Sequence, residues 1–510
     1  MAKHSGARIK IVESSLFLMS STGLTAGFGF LFWIVVDRSY SPERVGLATS
    51  LINAISLISY LSLFGLNTLL IRFQAKGPAR NSQVTRGLLI TGVSGLAFGG
   101  AFLALLPWVG PKLEFVRANP GFALLFVGFC GFAAVNLLTD SVFMAARLPQ
   151  YNMLVDGLIQ SVSKLAMPLL LVTFGAIGIV AATGVGYAVA VVASLVAMYW
   201  RLGFRFDLRT PGSGLRENAR YTLANYGSAL LNLVPQLALP MIALQQLGSE
   251  SEAYYFMAFQ IANILYTASH SIGDATFSEA SHDVSRLAEC LRRSAKLNVI
   301  IMVPAVIVVS LAANLVLSLF GQTYAAHARG LLVLLAAGAM AVAFNNWSSN
   351  ALRVAGAVRA MVASNVVYAV VSIGMAQATA SRGLLWIGWA WVAGNLLSGA
   401  VAAAYVPSSM ASLAPESGPA AEDSEDSGNS ENAEKEKRPA PAVMIDETMP
   451  LALPWVVRDV HRGSNRPLMH DRPTEPIPRV TDPPVGFGGD MSVRERESDR
   501  PPKSRGRQTW

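Results

Sequence analysis

Long apolar stretches, separated by short polar segments, fill the chain up to about residue 407. Each stretch is close to the ~20 residues that an α-helix needs to cross a hydrocarbon core. The pattern predicts about twelve membrane-spanning helices. They fall near residues 14–36, 45–71, 87–109, 121–146, 153–174, 177–200, 219–245, 253–277, 297–320, 330–352, 360–380 and 383–406. The first stretch is too long for the apolar region of a signal peptide, and we expect it to be retained as a helix.

A weak internal repeat indicates two similar halves in an all-α, polytopic membrane protein. A shift of 208 positions places "SLFGLNT" (62–68) over "HSIGDAT" (270–276) and matches Gly65 to Gly273. The predicted spans also divide equally at residue 205. We therefore expect an N-terminal six-helix half (1–205) and a C-terminal six-helix half (206–407), related by a pseudo-two-fold axis along the membrane normal.

The last hundred residues differ in character from the rest. Residues 408–510 are first acidic and then basic, and they are rich in proline and glycine. Such a segment buries too little apolar surface to offset its ordering entropy, so we predict a disordered tail on the cytoplasmic side.

The distribution of charge orients the chain in a membrane. Only 14% of the residues are charged, against 52% hydrophobic, and the net charge is +8. Lysine and arginine are concentrated in alternate loops, and the richer side includes both ends of the helical region. By the positive-inside rule, both termini are predicted to be cytoplasmic. The basic residues therefore give no indication of nucleic-acid binding.

The second span carries a polar stripe inside an apolar helix. From Val45 to Ile71 there is no charged side chain, yet polar residues recur about every helical turn. A helix turns ~100° per residue, so these positions share one face. They are Thr49, Asn53, Ser56, Tyr60 and Asn67. Asparagine is costly to expose to lipid, so we expect this face to meet another helix or a water-filled cavity.

The seventh span repeats this feature. Asn225, Asn232 and Gln236 step by seven and four residues and share one face. Pro235 and Pro240 interrupt the hydrogen bonds of this helix and are expected to kink it. We predict that the polar faces of both halves line one cavity, with Asn53, Asn67, Asn225, Asn232 and Gln236 as substrate-binding residues.

Three candidate residues are ionisable side chains within predicted spans, where charge is costly and frequently functional. Asp140 is in the fourth span and Lys164 in the fifth, and the hairpin between these spans brings them within about one helical turn of each other. They form either a structural ion pair or a site in which Lys164 binds an anionic substrate and Asp140 tunes it. Asp274, in the eighth span, is a second candidate for ion coupling, or a hydrated residue at the cavity mouth.

The motifs of enzymes and ATP-driven pumps are missing from the sequence. There is no GxxxxGK[ST] loop for a nucleotide phosphate and no HExxH zinc motif. Cys130 and Cys290 stand alone, without the spacing of a metal site or a disulfide framework. We expect neither catalytic activity nor a cofactor or metal.

The elbow "YSPERVGL" (40–47), followed by "LSLFGLNTLLIRF" (61–73), resembles the polysaccharide and O-antigen flippase branch of the multidrug/oligosaccharidyl-lipid/polysaccharide exporter superfamily. This resemblance implies a transporter of the bacterial cytoplasmic membrane that moves undecaprenyl-diphosphate-linked oligosaccharide from the inner to the outer leaflet, for example in lipopolysaccharide biosynthesis. Lys164 is similar in position to a basic residue often placed in the fifth span of the family. The long tail departs from the family pattern and suggests a segment that binds polysaccharide-synthesis proteins.

Three alternative functions stay open at this point. One is a multidrug or cation exporter of the same superfamily, which would favour an acidic, aromatic cavity. Another is a flippase for a peptidoglycan lipid precursor. The third, from a different class, is a non-transporting scaffold that recruits polysaccharide-synthesis enzymes through its tail.

Overall fold

The computed structural model describes residues 27–72, 78–146, 148–209, 219–282 and 287–411, which form helices and short connections. The helices of the first half are α1 (27–39, as far as described), α2 (Pro42–Ser62), α3 (Leu66–Arg72), α4 (Pro78–Val109), α5 (Phe115–Ala118), α6 (Pro120–Ala145), α7 (Pro149–Asn152), α8 (Ser161–Leu170) and α9 (Ala176–Leu202). Those of the second half are α10 (Ala219–Leu247), α11 (Ser249–His282), α12 (Leu287–Phe320), α13 (Gln322–Val354), α14 (Val358–Thr379) and α15 (Leu384–Ala411).

Within this part of the chain, ten helical segments are long and apolar enough to cross a membrane. The chain is therefore an all-α, multi-pass membrane protein, as the sequence predicts. The first predicted span lies partly outside the described residues. The eighth corresponds to α11, a helix of 34 residues whose polar content keeps it out of that group of ten. Apart from residues 408–411, which complete α15, the predicted tail also lies outside the described residues.

The second predicted span is broken rather than continuous. The chain turns at Leu63–Gly65, where Phe64 and Gly65 have φ angles of +47° and +75°, and α3 then begins. Glycine adopts such a left-handed conformation without steric cost because it has no Cβ. Its counterpart in the sequence repeat, Gly273, lies inside the unbroken helix α11. The two segments matched by the repeat thus differ in shape.

The fifth predicted span begins with an unusual helix. Residues Met153–Gln160 form a π-helix, which continues into α8 and ends in a 3₁₀ turn at Val172–Phe174. The Ser161 hydroxyl donates to the carbonyl oxygen of Asp156 at 3.1 Å within this wider turn. π-helical segments are rare and are frequent at functional sites. The widened turns also change which residues of this span share a face.

The helices pack into two groups that meet along α2. One group surrounds α6 and includes α4 and α9, and the other surrounds α13 and includes α11, α12 and α15. Helix α2 contacts α6 and α9 on one side and α10 and α11 on the other. The predicted boundary between halves, at residue 205, falls between α9 and α10.

The polar stripe of α2 faces protein rather than lipid. Thr49 and Ser56 are buried, and Asn53 and Asn67 are 9% and 6% exposed. Thr49 is hydrogen-bonded to Glu252 of α11, whereas Ser56 lies within hydrogen-bonding reach of the Tyr187 hydroxyl on α9. The sequence predicts that this face meets either another helix or a water-filled cavity. Thr49 and Ser56 meet other helices.

Candidate functional site

Ionisable side chains converge inside the first half of the protein, in what we call the N-half cluster: Asp140, Asp156, Lys164 and Tyr187. They come from α6, the π-helix, α8 and α9 respectively. The Nζ atom of Lys164 lies 4.8 Å from the ring centroid of Tyr187, a cation–π distance. The carboxyl group of Asp156 is the acidic group whose charge acts on Lys164.

The two carboxyl groups of the cluster lie within hydrogen-bonding reach of each other. Asp156 is 8% exposed, and its Oδ1 atom accepts a hydrogen bond from the Asn136 side chain at 3.1 Å. The backbone oxygen of Asp140 accepts another from Asn152 at 3.1 Å. A contact between two carboxyl groups needs a proton, because two carboxylates have no donor to offer.

Asp140 and Lys164, which the sequence places near each other, both belong to the N-half cluster, and Asp156 is a further acidic member of it. The acid that acts on Lys164 is Asp156, and Asp140 contacts Asp156. Asp156 was missed, although a carboxylate in the apolar run "MLVDGLIQ" is itself a signal. Residues Met153–Gln160, which include Asp156, form a π-helix rather than the regular α-helix that the sequence pattern predicts.

Close packing holds Lys164 in position. A Cβ atom added at Gly186 of α9 would lie 2.7 Å from the Cγ atom of Lys164 and 2.9 Å from its Cε atom. The lysine side chain therefore runs directly over the glycine toward Tyr187. A residue with a side chain at position 186 would displace it.

A second polar region, which we call the C-half pocket, lies among α10, α11, α13, α14 and α15. Its lining combines six carboxamide side chains with the rings of Tyr266, Tyr368 and Trp391. Asn232 and Gln236, both predicted from the sequence to bind substrate, are among the lining residues. His270 of α11 lines the pocket as well.

The remaining predicted residues lie elsewhere. Asn53, Asn67 and Lys164 are not among the residues that line the C-half pocket. Asn225 lies on α10, but its side chain is outside the described part of the structure. The C-half pocket is lined by second-half helices, whereas Asn53, Asn67 and Lys164 lie on helices of the first half.

Asp274 is engaged in an ion pair. Its Oδ1 atom lies 3.8 Å from the Nη1 atom of Arg353, whose side chain is 6% exposed. Arg353 also donates to Asn350 at 2.9 Å and lies over the ring of Phe277. These contacts join α11 to α13, so the ion pair of Asp274 with Arg353 contributes to the packing of these two helices.

At one end of the helices the two groups are tightly joined by what we call the closed-end contacts. Glu252, which is fully buried, accepts a hydrogen bond from Thr49. The remaining contacts are Tyr324 to Asp37 at 2.8 Å, Lys112 to the carbonyl of Leu244 at 2.8 Å, and Arg38 to the carbonyl of Leu319 at 3.0 Å. Each joins α1, α2 or the segment after α4 to the second half.

The backbones also approach closely at this end. A Cβ atom added at Gly46 of α2 would lie only 1.8 Å from the carbonyl oxygen of Ser249, at the start of α11. Only glycine allows this approach, because any side chain would overlap with the backbone. The backbones of α2 and α11 are therefore in direct contact at this end.

Many membrane-crossing helices, two groups joined along α2, and polar regions within each group define a multi-pass membrane protein. A family model described as "polysaccharide biosynthesis protein" matches residues 35–329, which is more than half of the chain. The chain belongs to this family. A comparison with curated proteins yields no match.

Several solved transporters share the fold. An inward-facing multidrug-resistance MATE-family transporter of the MOP superfamily matches with 17% sequence identity and a TM-score of 0.61. The match covers 77% of this chain and 96% of that chain. The lipid II flippase MurJ, in an inward closed conformation, matches with 9% identity, 78% and 90% coverage and a TM-score of 0.61. A MOP-superfamily transporter from Pyrococcus furiosus matches with 18% identity, 79% and 96% coverage and a TM-score of 0.57. At 9–18% sequence identity, these likenesses show that the chain shares the fold of these proteins.

Proposed function

We propose that this transporter flips undecaprenyl-diphosphate-linked oligosaccharide from the inner to the outer leaflet of a bacterial cytoplasmic membrane, with both of its termini in the cytoplasm. The observation that carries the proposal, beside the family, is the N-half cluster. Its ammonium group lies within the helices, where an ionisable residue is costly to maintain unless it serves a function. A lipid diphosphate is an anion that such a group would attract.

The acidic members of the cluster supply a means of coupling. With one proton shared between Asp140 and Asp156, the cluster holds one carboxylate and one ammonium and has no net charge. A second proton would neutralise the remaining carboxylate and leave Lys164 as the unopposed cation, facing Tyr187. Proton uptake would then favour diphosphate binding, and proton loss would favour its release.

Movement of the cargo requires the closed end to open. The closed-end contacts join the two groups of helices, and their loss would let one group rotate against the other. The lipid tail would stay in the bilayer while the headgroup crosses through the protein. Because lipid and oligosaccharide remain covalently unchanged, the process needs no catalytic residue.

The test is transport by the purified protein in vesicles. The substrate would be a radiolabelled short-chain polyprenyl-diphosphate trisaccharide, and an added glycosidase would report its arrival in the outer leaflet. We expect protein-dependent flipping, reduced at least tenfold by Lys164→Met and retained in part by Lys164→Arg. Lys296→Met, at an exposed position on α12, is the matched control and should leave the rate unchanged.

Each alternative function has its own outcome. Export of a cationic dye without glycolipid flipping would establish a multidrug exporter, and flipping confined to a pentapeptide-bearing precursor would establish a peptidoglycan flippase. Removal of residues 412–510 tests the role of the tail. A scaffold would lose its function with that segment, whereas a transporter would keep flipping in vesicles.

A further inference from the structure

The chemistry of the C-half pocket is that of neutral hydrogen-bonding groups and aromatic rings. Among the described residues that line it, six are asparagine or glutamine and none is Asp, Glu, Lys or Arg. A carboxamide both donates and accepts hydrogen bonds, as a sugar hydroxyl or acetamido group does. The aromatic rings offer apolar faces on which the C–H faces of a pyranose ring can pack.

The amide groups are held in fixed orientations. Asn345 donates to the side-chain oxygen of Asn395 at 3.2 Å and accepts from the Ser398 hydroxyl at 3.0 Å. Asn346 donates to the carbonyl of Ser269 at 2.9 Å. Because these bonds restrain the side chains before any ligand arrives, binding would cost little conformational entropy.

One acceptor in the lining has no donor. Asn263 of α11 is 2% exposed, and its Oδ1 atom accepts no hydrogen bond from any residue that the structure describes. The nearby hydroxyl of Tyr266 donates instead to the carbonyl of Leu335 at 2.9 Å. A buried acceptor without a partner is costly. A ligand hydroxyl in the pocket would satisfy it.

The charges just beyond the pocket cancel each other. Asp274 and Arg353 follow the lining residues His270 and Ser349 by four positions on their helices, and they pair with each other at 3.8 Å. Among the described lining residues no Lys or Arg would favour a carboxylate-bearing sugar, and the one ring that gains a positive charge on protonation is that of His270. The charged site of this protein, Lys164, lies in the other group of helices.

From these observations we infer that the C-half pocket binds uncharged sugar residues of the cargo, those bearing hydroxyl or acetamido groups, while the N-half cluster holds the diphosphate. The inference rests on the proposed flippase function and adds the class of sugar. Gln236 and Asn263 are the residues that select neutral sugars, through hydrogen bonds to the ring substituents. Uronic acids would lose their hydration in the pocket without gaining a counter-charge.

The test uses two probes in the same vesicle assay. Both are polyprenyl-diphosphate trisaccharides, one composed of N-acetylhexosamines and the other with its two terminal residues replaced by uronic acids. We expect the neutral probe to flip at least tenfold faster. Asn263→Leu should slow the neutral probe about tenfold, the effect of one lost hydrogen bond to a buried group. Gln236→Arg should shift the preference toward the acidic probe.

Controls separate this inference from the function on which it rests. Thr267→Ala, one turn from Asn263 and outside the pocket lining, should leave both rates unchanged. If neither probe moves with the unaltered protein, the flippase function itself is overturned. If both move equally well and Gln236→Arg leaves their ratio unchanged, only the sugar preference is overturned. Gln236 is partly exposed, so its variant carries the test even where Asn263→Leu fails to fold.

Discussion

Glu252 on α11 accepts a hydrogen bond from the hydroxyl of Thr49 on α2, so that a fully buried carboxyl group joins the two groups of helices. This relationship explains why an apolar helix carries a polar stripe at this position. Thr49 also contacts the backbone oxygens of Val45 and Gly46 in its own helix. The stripe is thus part of the surface along which the halves meet.

Loss of the Glu252 carboxyl group should loosen the closed end. Glu252→Ala leaves the Thr49 hydroxyl without its partner across the interface. The loss of a buried hydrogen bond costs about 1–1.5 kcal/mol, which corresponds to a roughly tenfold larger equilibrium constant for opening of the closed end. The measurement is the rate at which an impermeant maleimide labels Ala48→Cys, a fully buried position on α2. Glu252→Gln keeps a hydrogen-bond acceptor for Thr49, so its labelling rate should be close to that of the protein with unaltered Glu252. Equal labelling in all three proteins would contradict this role.

The approach of α2 to α11 should depend on glycine. Gly46→Ala places a methyl group into the Ser249 carbonyl, and overlap with backbone cannot be relieved by a side-chain rotation. We expect a loss of ~2 kcal/mol or more in stability, read as a lower temperature of unfolding in detergent. Gly100→Ala on α4 has open space around the new methyl group and is the matched control. An undiminished unfolding temperature in Gly46→Ala would show that the helices can separate at no cost.

Gly186→Ala should impair transport more than stability. The added methyl group would contact the Cγ and Cε atoms of Lys164, which belong to a flexible side chain that can move away. We expect flipping of the polyprenyl-diphosphate probe to fall about tenfold, with the unfolding temperature within ~2 °C of the unaltered protein. Gly374→Ala on α14, with nothing near the new methyl group, serves as control. Normal flipping in Gly186→Ala would remove the positional role assigned to Lys164.

Asp156→Asn should imitate the fully protonated cluster. In the unaltered protein, acidification neutralises the remaining carboxylate, so affinity for the diphosphate probe should rise as the pH falls. The variant lacks the charge that opposes Lys164, and it should bind the probe more tightly at every pH and show a flattened pH dependence. Slower release would reduce its rate of flipping. The measurement is equilibrium binding of the labelled probe from pH 5 to pH 9.

The matched control for that experiment is Asp274→Asn. Its carboxyl group pairs with Arg353 at the edge of the second half and is a third exposed. We expect its variant to keep the pH dependence of probe binding. A flattened profile in Asp274→Asn together with a normal one in Asp156→Asn would place ion coupling in the second half instead.

The sequence by itself determined the class of the protein, because hydrophobic length and periodicity are local properties of the chain. Apolar runs of about twenty residues predict spanning helices wherever they occur, and the elbow at residues 40–47 indicates the family. The same periodicity assigned Asn232 and Gln236 to one face of α10, and both line the C-half pocket.

Only the tertiary structure decided which residues meet. Asp156 joins the cluster of Lys164 from a π-helix, a local geometry that hydrophobic periodicity does not predict. Thr49 faces Glu252, 203 positions away, because Gly46 lets two backbones touch. Such contacts depend on how helices pack against one another, and packing is fixed by shape across the whole fold rather than by the order of residues within one span.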